Sequence, residues 1–270
     1  MTRDAPTTLL GHASAEEKRE EDEVIASVLQ AGGRQIIGQI ILTMQAFLDS
    51  HGLKGHNALT KLFDALSGYA DDFRSSGNQI TPEYDFVRLG VGRVFTCLMQ
   101  SVYKLSNSNT TSVNNDDTGT VGGERRTVLP DDDINEAILM SPECTELLST
   151  AMRAISSICK IPGQAAPMLR DGVLSAMSNI LRIFCDLPPR KSERVVWWTI
   201  NGLYYLIQFG EQQALLLGME DTNLIHSLQT LANSPWNADK GLAVHVSLVT
   251  SKLATGFHAE SVALQKKLLA

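Results

Sequence analysis

The chain has no cysteines paired in a C-x-x-C arrangement; Cys97, Cys144, Cys159 and Cys185 stand far apart. That spacing excludes a zinc ribbon or a redox dithiol and argues against a disulfide framework. It suits reduced, buried thiols. The opening residues, "MTRDAPTTLLGHASAEEKREEDE", contain no apolar h-region, so no secretory signal is expected. Long hydrophobic runs are missing too. The longest uncharged, apolar-rich stretch, Val195 to Gln208, lies between Arg194 and Glu211. It is shorter than the roughly 20 residues a membrane-crossing helix requires. No stretch alternates apolar and polar residues at period 2, which leaves nothing to build a sheet.

Positive charge is scarce. The formal net charge is −7, and the acidity sits in two polar segments. Residues 1–24 hold seven acids against three bases, and residues 106–136 hold seven acids against two. The rest of the chain is close to neutral. Binding to nucleic acid needs a strong basic patch, and none is expected here. The composition points to a cytoplasmic protein, with the nucleus as a second compartment.

What the sequence does contain is helical period. A hydrophobic share of 43% is enough for a folded core. Ser14 followed by Glu17 forms a capping-box pattern, and Val24, Ile25, Val28 and Leu29 follow at helical spacing. Ile36, Ile37, Ile40, Ile41, Met44 and Phe47 make a broad apolar stripe that ends at His51-Gly52. A shorter helix is expected around "NALTKLFDALSGYADDF". Thr81-Pro82-Glu83, Ser141-Pro142-Glu143 and Ser234-Pro235-Trp236 each read as helix starts, with a capping side chain followed by proline. Ser192-Glu193 is a weaker start. The fold class expected is all-α.

Four regions follow. Residues 1–13 read as a disordered N-terminus and 14–105 as N-terminal helical repeats. Residues 106–133 form an acidic insertion rich in Asn, Ser, Thr, Asp and Gly. That segment has too little apolar surface to offset its ordering entropy, so disorder is expected. Residues 134–270 form a second helical half.

In that second half, Ser149–Phe184 can be laid over Val195–Ala232. Each stretch reads long helix, Gly-containing turn, short helix, turn, helix, and a third copy begins at Lys240. The helix "VVWWTINGLYYLIQFG" carries the decisive pattern: Trp197, three residues, then Asn201-Gly202-Leu203. This resembles the third helix of an armadillo repeat, and "FGEQQALLLGMEDTNL" resembles the turn and short helices that follow it. The resemblance is clearest over residues 141–270. It implies a right-handed α-solenoid of armadillo/HEAT type, non-enzymatic, holding a partner segment on its concave face. A ladder of Trp and Asn holds an extended peptide in that family.

The partner expected is a protein, through an extended or helical segment. Trp197, Asn201, Tyr204 and Gln208 form one stripe of this helix, and Trp198, Gly202, Tyr205 and Phe209 another. Val196, Ile200, Leu203 and Ile207 form the core stripe. Arg153 and Ser157 occupy the positions of Trp197 and Asn201 in the preceding unit, which makes Arg153 a groove candidate. The basic loop "LPPRKSER", with Arg190, Lys191 and Arg194, is a candidate docking site for an acidic segment. Two other roles fit the same architecture: a nuclear-transport or cargo adaptor, and a regulatory subunit of an enzyme complex.

Chemistry-bearing motifs are weak. Asp117-Thr118-Gly119 matches an aspartic-protease triplet but has no second copy and sits in a polar tract. The same region fails as a calcium loop, because Arg125 stands where a bidentate Glu is required. His51 and His56 have no Cys or acidic cluster around them and read as surface residues. Gly90 and Gly92 lack the third glycine of a dinucleotide loop and read as close-packing positions. Asn109 opens a glycosylation sequon that applies only to a secreted chain. Arg125-Arg126-Thr127 matches a basophilic-kinase site, with Thr127 as acceptor. No metal and no cofactor are expected.

Overall fold

The structure, a computed structural model, describes residues 15–31, 35–77, 81, 85–107, 138–187, 189–210, 217–218, 220–233 and 240–268. The described residues are helical, with turns and no strand. The α-helices are α1 (Ala15–Ala31), α2 (Ile36–His51), α3 (His56–Ser76), α4 (Val91–Asn107), α5 (Pro142–Cys159), α6 (Ala165–Arg170), α7 (Val173–Cys185), α8 (Pro189–Phe209), α9 (Thr222–Asn233) and α10 (Lys240–Leu268). A 3₁₀ turn, Gly52–Gly55, joins α2 to α3.

Local signals explain several boundaries. Ser141 caps α5: its hydroxyl accepts the Cys144 N–H at 3.2 Å, with Pro142 at the first position and Glu143 in the first turn. These satisfy an orphan donor and place a negative charge at the positive end of the dipole. Asp221 does the same for α9. One carboxylate oxygen accepts the Leu224 N–H at 3.0 Å and the Ser178 hydroxyl of α7 at 2.8 Å, so a single cap also ties two helices together. Gly77 ends α3 in the left-handed region, at φ 64°, where a side chain is disfavoured.

Packing follows the apolar stripes. In α4, Val91, Val94, Phe95, Leu98, Met99 and Val102 recur at helical spacing and are buried. The α2 stripe from Ile36 to Phe47 is likewise buried. Contacts between helices form two rows. The first runs α3, α5, α8, α10, each touching the next. The second runs α2, α4, α7, α9. The rows are joined where α2 meets α3, α7 meets α8 and α9 meets α10. The helix buried around most of its circumference is α5, which lies between α3 and α8.

Two close approaches depend on glycine. A Cβ on Gly202 of α8 would lie 2.5 Å from Met177 Cε of α7, so its absence lets Met177 seat against α8. A Cβ on Gly92 would lie 2.5 Å from Asp171 Oδ2. The Asp171 carboxylate thus rests against the first turn of α4, at the positive end of its dipole. The Asp171 carbonyl accepts the Thr96 hydroxyl at 2.9 Å, fixing the α6–α7 turn on α4.

Three expectations change. Cys144, Cys159 and Cys185 are buried, but Cys97 is exposed, because it falls on the outer side of α4 opposite the apolar stripe. The stretch expected to be the basic loop Leu187–Arg194 is largely the first turns of α8, which begins at Pro189 rather than at Ser192. Proline is compatible with the first helical position, where no N–H is needed. The helix expected around "NALTKLFDALSGYADDF" is α3, 21 residues long. The helix starts expected at Ser14, Pro82 and Ser234-Pro235-Trp236 lie outside the described residues, as do residues 1–13, most of the insertion and Thr127.

Candidate functional site

The exposed side of the first row carries a connected series of contacts across four helices. On α5, Arg153, Ser157 and Lys160 stand at i, i+4 and i+7. Arg153 pairs with Asp64 of α3. Ser157 donates to Asp71 Oδ2 of α3 at 3.3 Å, and its oxygen lies 3.3 Å from that of Ser67. Asp71 also faces Arg74 at 3.6 Å. Lys160 points the other way, towards α8, with Nζ 4.6 Å from the centre of the Tyr205 ring.

On α8 the surface becomes aromatic. Trp197 and Trp198 meet edge to face at 4.7 Å, and Tyr204 and Tyr205 at 5.1 Å. Tyr205 stacks on Phe209 at 6.1 Å. His245 of α10 completes the cluster, 5.7 Å from Trp197 and 5.9 Å from Tyr204. Trp197, Trp198, Tyr204, Tyr205 and Gln208 are half-buried, and Phe209 is 45% exposed. Such rings offer large contact area at low entropy cost. Beneath them Val196, Ile200, Leu203 and Ile207 are buried in the core. The helix therefore divides by stripe, with aliphatics inward and aromatics outward.

Asn201 lies at the boundary. Its side chain is 5% exposed, and its Oδ1 is buried without a hydrogen-bond partner. Arg153 Nε is a second buried orphan on the neighbouring helix. A buried acceptor left unpaired costs on the order of 1–3 kcal/mol, so each orphan calls for an explanation.

The other sequence candidates fall as follows. Arg153 is committed to Asp64 rather than free. Arg194 is exposed on the first turns of α8, while the side chains of Arg190 and Lys191 lie outside the described residues. Lys160 and His245 were missed by sequence reasoning. A signal existed: Ser157, Asn201 and His245 stand at equal steps along the chain, and Lys160 and Tyr204 are separated by the same step.

Titration shifts resolved among the described residues do not converge on a reaction centre. Burial pushes the thiols of Cys144 and Cys159 up to about 12, and that of Cys185 upward. Such thiols stay protonated and unreactive. Burial, with Arg74 adding like-charge repulsion, lowers the Lys160 ammonium from its ordinary value, and Asp71 pulls in the opposite direction. Among the described residues, no group of His, Cys, Asp and Glu is placed to hold a metal ion, and no helix is long and apolar enough to cross a membrane. Two concavities of about 340 Å³ lie elsewhere. One is between α4 and the α6–α7 turn, near Gln100, Tyr103 and Arg170; the other is between α1 and α2, near Val24, Leu42 and Phe47.

Comparison of the chain with protein-family models, with curated proteins and with solved structures gives no match.

Proposed function

We propose that this protein is a non-enzymatic interaction scaffold or adaptor whose first row of helices binds a segment of a partner protein. The observation that carries the reading is the aromatic cluster on one side of α8, where half-buried Trp197, Trp198, Tyr204 and Tyr205 continue to exposed Phe209. Partly exposed rings of this kind suit a chain that brings apolar side chains. The two rows of helices support an α-solenoid of armadillo/HEAT type, in which the first row lines the concave side. Stacked helical units present such surfaces as binding platforms.

The test is quantitative affinity capture from native extract with the wild-type chain and with Trp197→Ala/Tyr204→Ala, whose thermal unfolding is measured in parallel. Expected is the loss of one or more proteins from the variant while cooperative unfolding is kept. Identical captured sets from the two chains would overturn the reading.

A further inference from the structure

The proposed face has an electrostatic polarity, and Lys160 sets it. The inference rests on the binding-face reading above. Lys160 is the C-cap of α5 and stands between the ion-paired helices α3 and α5 and the aromatic helix α8. Its surroundings give it the Tyr205 ring and a carboxylate that is shared with other groups. Asp71, the carboxylate that acts on it, is engaged by Arg74 on one oxygen and by the Ser157 hydroxyl on the other. Among the described residues, no carboxylate forms an ion pair with Lys160. The ammonium is half-buried, and the nearby Arg74 adds a second positive charge.

Two other cations on this face are less available. Arg153 is held by Asp64, and Arg74 by Asp71. A half-buried ammonium has lost part of its hydration without gaining an anion. A carboxylate placed there makes a charge-assisted hydrogen bond in a partly dehydrated setting. A cation placed there meets Lys160 and Arg74 together. Exposed aromatic rings alone would favour a cation, but Lys160 already lies against the Tyr205 ring. Beyond Lys160 the surface is Tyr204, Tyr205 and Phe209, which match an apolar side chain.

We infer that the face selects a partner segment that sets an Asp or Glu carboxylate on Lys160 and an aromatic or aliphatic side chain on the Tyr204, Tyr205 and Phe209 rings. Acidic-apolar segments bind there, and segments anchored by Lys or Arg do not.

The experiment selects short random peptides displayed on phage against the full chain, with Trp197→Ala/Tyr204→Ala as the counter-target. Enriched peptides are then measured by fluorescence anisotropy. Expected is a shared Asp or Glu next to an aromatic or aliphatic residue. Changing that acid to its amide should weaken binding to the wild-type chain roughly tenfold, the effect of one charge-assisted hydrogen bond. Lys160→Met should give the same loss, and Lys160→Arg should retain most of the affinity. Peptides that depend on the rings but carry no acid, carry Lys or Arg at the anchor, or tolerate the amide change would overturn the inference and leave the binding face standing. If no peptide distinguished the chain from the Trp197→Ala/Tyr204→Ala variant, the binding face itself would fall, and the inference with it.

Discussion

The two halves of the exposed side of the first row are built by opposite rules. Across α3 and α5 charged side chains pair with one another, Asp64 with Arg153 and Asp71 with Arg74 and Ser157, and the orphan there is Arg153 Nε. Across α8 and α10 the side chains meet through ring contacts, and Asn201 Oδ1 is buried without a partner among the described residues. A surface that satisfies itself has little to gain from a ligand. A surface with partly exposed ring area gains from its burial. The difference teaches where to look for binding: at the unsatisfied half, with Lys160 at the seam.

The sharpest way to break this comparison is within α8, where inward and outward stripes adjoin. Leu203 is fully buried and Tyr204 is half-buried beside it. Leu203→Ala should destabilise by about 2–5 kcal/mol through the cavity it leaves. Tyr204→Ala should cost well under half of that. Urea unfolding of the two variants measures the contrast, and equal losses would mean that the aromatic stripe is core.

The next effect is on pH. Cys144 and Cys159 lie on the buried side of α5, beneath the self-satisfied half, and α8 has no cysteine. Their folded pKa values, about 12, lie above the ordinary 9.0. A raised thiol pKa means that the unfolded chain releases protons first. The associated stability is complete below the ordinary value and is lost as pH rises towards the folded value. Lys160, with its lowered value, acts in the opposite sense below its ordinary 10.5. The urea midpoint should therefore fall as pH climbs from about 9 to about 12. Cys144→Ala/Cys159→Ala should flatten that fall. An equally steep decline in this variant would assign the effect to other groups.

Asn201→Leu should separate stability from binding. Replacing an amide whose oxygen is buried and unpaired removes that oxygen's desolvation cost, so the variant should unfold at an equal or higher midpoint, by up to about 1 kcal/mol. Peptide binding to the same variant should be kept, because the oxygen it loses is buried. A large loss of stability would show Asn201 to be a structural residue.

The smallest expected effect comes from the satisfied half. The Arg153–Asp64 pair is largely solvated on the Asp64 side, at 64% exposure. Asp64→Asn should change stability by roughly 0.2–1 kcal/mol and leave peptide binding unchanged. If instead Asp64→Asn altered affinity as much as Lys160→Met, the division of the face into two halves would have to be abandoned.

Much of the fold was legible because helices announce themselves locally. Ile36 to Phe47 form a stripe in the sequence and are the buried residues of α2. Ser141-Pro142-Glu143 starts α5 through an observed cap. Legibility failed where one residue type serves two purposes. Prolines near position 189 suggested a loop but begin α8, and the sequence pattern drew attention to α8, whereas α5 is the helix buried more completely. The small residues Ser149, Ala151 and Ser156 let neighbouring helices close around α5. They carry no strong hydrophobic signal by themselves.

The sequence by itself determined the helical class, the stripes that turn inward and the aromatic character of α8. These follow from spacing along a single helix, and spacing is a local property. Only the tertiary structure decided which helices become neighbours, and with them the ion pairing of Arg153, the isolation of Asn201 Oδ1 and the position of Lys160 over Tyr205. Those depend on side chains brought together from distant parts of the chain, and burial and charge at such points are set by the neighbour rather than by the residue.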